Sequence, residues 1–582
     1  MKIGSFVRVA NLDELKGAGP FAVSANGIDV VVVRTRSGLR AFEGRCPHQG
    51  ALLGEGEIEG DRLVCRNHQW RFKLDSGRRD GGPECLAACP ADERDGAVFL
   101  DVSALSCRAK APSATRTLDD LPGPKGLPLL GNLHQLDLPK LHLILEAWAE
   151  RYGEAYLFRM GTRPAVAIAN PAWCEQVLRA RPDTFRRDAG MAKVIAEMGF
   201  DGVFSAEGEA WRPQRKLSVA ALAQRNLRGL YPKIQTVSNR FLARLRRLAD
   251  AEAPVDIVAE LKSFAVDVTT LITFGYDIDT IDQDEGIIQR NLDLVFPAIA
   301  RRMFAPIPIW RFIRLPQDRR LAAALSELRA WIDGLIASAR DLLAKEPDRA
   351  EKPSNFIEAM LTARDERGNA YSEDVIYTNL ITMLLAGEDT TSNTVAWAVH
   401  ELCESPDWAA ALRREADEAF DTSDVAATFE IANGLDRAGA VANEAMRLRP
   451  VAPVIMVESI VSTVVGDLQL PQGTVVTLLT RPAARDAGNF DDPRAFRPER
   501  WLGPTEGAHE VAALIPFGSG PRICPGRALA LVEMRTLLSM LYKNFEIERI
   551  GARGGVSEEF GFTMSPAGLR VRLRRRLAPQ AT

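Results

Sequence analysis

Two textures divide the chain. Over the first hundred positions short apolar runs such as IDVVVVRT, GLRAFEG, RLVCR and AVFLDV are set off by Gly, Asp and Asn. Brief apolar or alternating runs bounded by turn formers predict strands, so 1–104 reads as a small all-β module. Asp95-Gly96, between ADER and AVFLDV, predicts a two-residue hairpin loop, because both central positions of that turn need positive φ. The polar stretch Ser106 to Thr117 has no apolar period and predicts a linker, placed at 105–118; a flexible segment of this length reaches roughly 20 Å. From LPGPKGLPLLGN onward apolar residues return at three and four, as in LHLILEAWAERYG, VIYTNLITMLLAGEDTTSNTVAWAVHELCES and GRALALVEMRTLLSMLYKNFEIE. That spacing predicts long amphipathic helices with short β pieces, forming one large, mainly α domain over 119–578.

Composition narrows the partners. The 582 residues carry 46% hydrophobic and 26% charged side chains and a net charge of -4, ordinary globular values that give no reason to expect nucleic acid. Neither an internal repeat nor a low-complexity tract interrupts the pattern. The N-terminus MKIGSFVRVANLDEL has no apolar targeting core, and no run offers the ~18 apolar residues of a membrane span. The expectation is a soluble protein with no transmembrane anchor. Eight cysteines scattered over this length make no disulfide framework, which points to a reducing cytoplasm.

The distribution of 8 Cys and 6 His is more informative than their number. Cys46-Pro-His48 and Cys65-Arg-Asn-His68 lie sixteen residues apart on two turns of the β module. Two thiolates and two imidazoles suit either a structural zinc or a [2Fe-2S] cluster in which two His replace two Cys on one iron. The surrounding strings, CPHQGALL and CRNHQWRFKLDSGR, resemble the Rieske ferredoxins. That resemblance implies that Cys46 and Cys65 bind one iron and His48 and His68 the other, with Trp70 and Phe72 as core side chains beneath. The extra cysteine pair of high-potential Rieske proteins is missing, since Ala51, Arg66 and Asn67 stand at those places. This implies a soluble ferredoxin type near the roughly -150 mV end of the range. Cys85, Cys89, Cys107, Cys174 and Cys403 read as isolated thiols.

A second constellation lies near the other end. Phe517-Gly-Ser-Gly520-Pro-Arg522-Ile-Cys524-Pro-Gly526 sets one thiol between glycines just before an apolar helix, where backbone N–H groups and the helix N-terminus favour a thiolate. The string resembles the haem-binding loop of the cytochrome P450 family, which implies that Cys524 is the axial ligand of a haem b and Phe517 part of its seat. Other family features follow in order: Glu444-Ala-Met-Arg447 with Arg500 as a structural ion-pair triad, and Trp211 and Arg215, with Arg522, as partners of the haem propionates. Arg212 and Lys216 are expected on a solvated face. In Ala386-Gly387-Glu388-Asp389-Thr390-Thr391 an acid and two hydroxyls interrupt an apolar helix, which disfavours them without partners or a function. The resemblance makes Asp389 and Thr390 the catalytic acid–alcohol pair that relays protons, and Gly387 the residue that opens a groove for dioxygen. One departure stands out. Many family members place an Arg after Pro453 that reaches a propionate, but Val457 and Glu458 occupy that stretch. Val454, Ile455 and Met456 are expected to shape the substrate pocket.

Together the two resemblances imply a Rieske ferredoxin fused ahead of a haem-thiolate monooxygenase. The reaction is RH + O2 + 2 electrons + 2 protons giving ROH + water, on a hydrophobic small molecule. No GxGxxG fingerprint is found at a strand-to-helix junction, so NAD(P)H is expected to act through a separate FAD-containing ferredoxin reductase. Three rivals are a Rieske non-haem iron oxygenase, a peroxide-driven haem enzyme and a redox or gas sensor. The first needs a two-His-one-carboxylate site, for which only His134, His142, His400 and His509 remain. The acid–alcohol pair and the fused electron donor disfavour the other two.

Overall fold

The computed structural model describes residues 6–576 apart from 16–18, 26–27, 36–37, 48–51, 66–69, 102, 104–113, 283–286, 304, 306–307, 366–367 and 504–512. The N-terminal module is all-β as expected. Ile28–Thr35 pairs with Phe21–Ala25 on one side and Gly38–Glu43 on the other, and Ala88–Cys89 completes an antiparallel four-stranded sheet. The strands Phe6–Asn11, Ala97–Asp101 and Ala91–Arg94 form a second sheet, and Glu57–Glu59, Arg62–Val64 and Arg71–Lys73 a third. Asp95 and Gly96 have φ of 49° and 72° and join the register pair Arg94 and Ala97, which is the hairpin the sequence predicts.

The unbroken VVVV run has a structural reason. Val30 and Val32 enter a core with Leu15, Cys89, Val98 and Leu100, while Val31 and Val33 enter another with Phe42, Leu53, Phe72 and both Cys46 and Cys65. A strand covered on both faces loses the alternation of a half-solvated one.

The second domain is built on helices and one five-stranded sheet, in the order Ala155–Met160, Arg163–Ile168, Val475–Leu479, Val454–Ser459, Phe185–Arg187. Arg163–Ile168 and Val475–Leu479 run parallel and the other neighbours antiparallel. The helix Glu373–Leu402 is central. Its N-cap Ser372 accepts from the Val375 N–H, and Glu373 and Asp374 occupy the positive end of the helix dipole. It runs unbroken for 30 residues through a large apolar core. Among the described residues no helix is long and apolar enough to cross a membrane.

The Glu444 and Arg447 side chains, both fully buried, pair at 2.7 and 2.8 Å. Arg447 donates further to the carbonyls of Ala484, Pro493 and Ala495, while Glu444 accepts from the Trp501 indole at 2.9 Å and meets Arg500 at 3.4 Å. Every polar atom of the pair thus has partners, the condition under which a buried ion pair fixes a fold.

Candidate functional site

The first set of ligand candidates sits on two loops closed at their bases. Arg45 bridges Leu52, and the Leu53 N–H donates to the Gly44 carbonyl at 2.8 Å, so the chain after Cys46 returns on itself. The Cys65 N–H donates to the Trp70 carbonyl at 2.8 Å, closing the second loop. Cys46 and Cys65 therefore stand at equivalent places, each at the mouth of a loop and each buried in one apolar core with Phe72. His48 and His68, which the sequence assigns to these loops, lie outside the described residues. Phe72 is fully buried as expected, but Trp70 is only half-buried and lies under the Arg79 guanidinium at 3.4 Å.

The isolated thiols behave as expected where they are described. Burial pushes Cys89 and Cys403 up to about 11 and Cys174 up to about 12, so they stay protonated. Cys107 lies outside the described residues. No disulfide joins any of the described cysteines.

Cys524 is set differently. Its N–H donates to the Phe517 carbonyl at 2.9 Å and the Ile523 N–H to the Gly520 carbonyl at 3.0 Å, which folds the loop back and leaves the thiol exposed. Gly520 has φ of 74°, and a Cβ there would sit 2.5 Å from the Leu178 carbonyl oxygen, so only glycine lets the loop lie against that helix. The helix Arg527–Asn544 begins three residues later. Its Arg527 guanidinium lies over the half-buried Phe517 ring at 5.4 Å.

The central helix shows one accessible face. Met383, Gly387 and Thr390 are half-buried and Ala386 is exposed, while nearly every other position from Ile376 onward is buried. Offsets of three and four put these residues on one side. Thr390 Oγ1 donates to the Ala386 carbonyl at 2.9 Å. Asp389 points elsewhere: it is buried, its Oδ1 meets Lys262 Nζ at 2.6 Å, and its Oδ2 accepts from Thr563 Oγ1 at 3.3 Å. The acid and the alcohol are sequence neighbours on different faces, and the acid is held by a lysine that sequence reading missed.

Gly387 corrects an expectation. The helix does not open at this residue; a Cβ at Gly387 would lie 2.4 Å from Thr269 Oγ1, so the glycine serves the close crossing of helix Ile257–Phe274.

The cationic residues regroup as well. Trp211 and Arg215 are buried on one face of the helix Trp211–Ala221, with Arg212 and Lys216 exposed on the other, as predicted. Arg522 lies over the Trp211 ring at 4.8 Å. Arg215 also contacts the N-terminal module: Glu55 takes its Nε and Nη2, and Nη1 donates to the Ile523 carbonyl at 2.6 Å.

Two other guanidiniums, Arg181 at 3.1 Å and Arg522 at 2.9 Å, meet the Glu207 carboxylate, which also accepts the Arg187 backbone N–H at 2.8 Å, while the Arg187 guanidinium beside them donates to the Phe204 carbonyl. Burial and mutual repulsion push Arg522 down to about 9 and hold Arg187 well below its ordinary value. The Nε atoms of Arg181 and Arg522 are buried without a hydrogen-bond partner. Three cations against one carboxylate, with donors left over, fit a dianionic group. The thiol at Cys524 and the open helix face fit its flat apolar body, so the residues present suit a haem with two propionates.

Arg187 also explains the departure noted at Val457. The two are register partners on adjacent antiparallel strands, so a cation stands beside the position where this strand has none. Glu458 is used otherwise, paired with Arg163 and Arg186. Val454, Ile455 and Met456 are half-buried.

The histidines required by a non-haem site are otherwise engaged. His142 is fully buried against Glu558 at 2.8 Å, itself paired with Arg481. Burial pushes His400 down to about 4, and His134 is exposed. His509 lies outside the described residues.

Comparison with known proteins finds a family for each of the two domains. The family model described as Cytochrome P450 matches residues 121–572, and the one described as Rieske [2Fe-2S] domain matches residues 5–90. Human mitochondrial 25-hydroxyvitamin D-1 alpha hydroxylase is 28% identical over 75% of this chain and 88% of its own length. The soybean 3,9-dihydroxypterocarpan 6A-monooxygenase is 24% identical over 77% of this chain and 91% of its own. The chloroplastic protein LUTEIN DEFICIENT 5 of Arabidopsis thaliana is 24% identical over 74% of this chain and 73% of its own.

Proposed function

The chain belongs to the cytochrome P450 family and bears a Rieske [2Fe-2S] domain at its N-terminus; on that premise we propose that this monooxygenase hydroxylates a hydrophobic small molecule with electrons received through its own ferredoxin module. Cys524 would hold a haem, which would supply O2 activation aided by the thiolate, and Cys46, His48, Cys65 and His68 would hold a [2Fe-2S] cluster, which would supply electrons singly. The observation that carries the reading is the pairing, in one chain, of an exposed thiol beside a cation-rich seat with two buried thiols on closed loops.

The side chains divide the work. Arg522, Arg181 and Arg187 bind the carboxylates of the cofactor, and Trp211 packs beneath Arg522. Phe517 holds the Cys524 N–H through its carbonyl and fixes the thiol's direction. Thr390 presents its hydroxyl on the open helix face, and Asp389 behind it exchanges protons with the interior. The Lys262 contact aims that carboxylate away from Thr390, so a turn of Asp389 from Lys262 toward Thr390 is the proton-carrying motion. The apolar strand Val454–Met456 selects for a hydrophobic substrate.

The reductant is an external NAD(P)H-dependent flavoprotein that loads the cluster one electron at a time. The absence of disulfides among the described cysteines supports a reducing compartment such as the cytoplasm. The purified, cofactor-loaded chain is expected to consume no NAD(P)H with substrate until a ferredoxin reductase is added, and then to release one hydroxylated product per two electrons. Sustained turnover without any reductase would overturn this reading.

A further inference from the structure

The contact between Arg215 and Glu55 joins residues 160 positions apart, one in each domain. The Glu55 carboxylate receives Arg215 Nε at 2.9 Å and Nη2 at 2.6 and 2.8 Å, and both side chains are largely buried, at 14% and 8% exposure. A planar guanidinium gripped at two donors fixes direction as well as distance, which a lysine or a screened surface pair does not.

Each end of this contact is rigidly tied to a thiol loop. On the haem side Arg215 also holds the Ile523 carbonyl, one residue before Cys524. On the ferredoxin side Glu55 ends the short turn Leu53–Glu55, whose Leu53 is fully buried and hydrogen-bonded to Gly44 at the base of the Cys46 loop. Two further neighbours agree. Arg527 lies within electrostatic reach of Cys46, Cys65 and Cys524 together, and Arg45 within reach of Glu175 and Arg179 on the helix Pro171–Arg179. The module thus turns its thiol-bearing end toward the Cys524 loop.

We propose that Glu55 is a positioning residue for electron transfer, latching the ferredoxin module to Arg215 so that its cluster is held toward the haem thiolate; this rests on the electron route given above. The step moves one electron: the reduced cluster is oxidised, the haem iron is reduced, no bond is made or broken, and the flavoprotein reloads the cluster for the second electron. Tethering alone supplies a local concentration in the millimolar range but no orientation. The latch supplies the orientation.

The test uses the full chain loaded with both cofactors. Under CO with substrate and reductase, the growth of the CO-shifted haem band and the bleaching of the cluster report transfer in the wild type, Glu55→Gln and Glu55→Asp. Removing one charge of a buried pair shifts docking by more than a decade, so Glu55→Gln is expected to slow transfer at least about tenfold, with Glu55→Asp within about threefold of wild type. Haem content, the final CO band and the cluster spectrum stay unchanged, while amide hydrogen exchange in 53–56 and 211–216 rises in Glu55→Gln. Wild-type transfer and exchange in Glu55→Gln would overturn the latch. If Cys65→Ala reduces its haem as fast as the wild type, the electron route itself fails, whatever Glu55 does.

Discussion

The chain holds thiols in two opposite ways. Cys46 and Cys65 are buried inside a small module and form part of its apolar core, whereas Cys524 is exposed on a loop braced by a large domain that packs without it. A module of about a hundred residues has little core to spare. If two of its core positions are metal ligands, filling the centre and folding the module become one equilibrium. Cys524 lies outside the large domain's apolar core, so that core closes without it.

The comparison breaks most visibly at Cys65. Cys65→Ala is expected to remove the cluster and most of the module's stability, on the scale of the ~5–15 kcal/mol that holds a domain together. Calorimetry should lose one unfolding transition while the CO-shifted haem band persists. Cys524→Ala should do the reverse: the CO-shifted band disappears while both transitions remain, because the large domain's apolar core closes without this side chain. Loss of both transitions in either variant would show that the domains do not fold separately.

The next effect belongs to the large domain alone. Arg447→Ala takes the closest cation from the buried Glu444 carboxylate and the donor from the carbonyls of Ala484, Pro493 and Ala495, at a cost of about 3–5 kcal/mol. Haem content and the large domain's transition should fall together, with the cluster spectrum intact.

These centres were legible because each is local. Cysteines at fixed spacings, glycines around Cys524 and a Glu and Arg three apart on one helix announce themselves within a few residues, and the strand and helix periods located the domains. What could not be read was long-range pairing. Nothing near Asp389 announces Lys262, nothing near Arg215 announces Glu55, and the Arg181–Arg187–Arg522 group forms only when a strand, a loop and a helix meet. Gly387 was misread for the same reason, since the demand on it comes from Thr269 of another helix. The one usable signal was the departure at Val457, because a cation missing from one strand invites a search of its partner, where Arg187 stands.

Asp389 sharpens the comparison on the side of chemistry. Asp389→Asn is expected to lower turnover about hundredfold, the low end for a lost general acid–base group, with haem binding unchanged. Lys262→Met removes the contact that holds the carboxylate away from Thr390, so turnover is expected to change in that variant while haem binding does not. Wild-type turnover in Lys262→Met would mean that Lys262 does not govern Asp389.

The smallest effect separates the two domains by pH alone. Glu533, on the helix after Cys524, is buried beside Thr391 of the central helix, and desolvation pushes its carboxyl up to about 8. The unfolded chain ionises this group near 4.5, so between that pH and about 8 the unfolded state has lost a proton that the folded state retains. Its contribution to stability is complete below 4.5 and is lost as pH rises through 8, with a slope of up to about 1.4 kcal/mol per pH unit. In a domain of this size that amounts to about 2 °C or less per pH unit. Glu533→Gln keeps the shape without the titration, so the haem domain's transition should decline less between pH 5 and 8 than in the wild type. The ferredoxin transition should follow the same pH course in both proteins. Equal slopes for the large domain's transition in wild type and Glu533→Gln would show that Glu533 is ionised in the folded chain, with its charge met by a partner on the central helix.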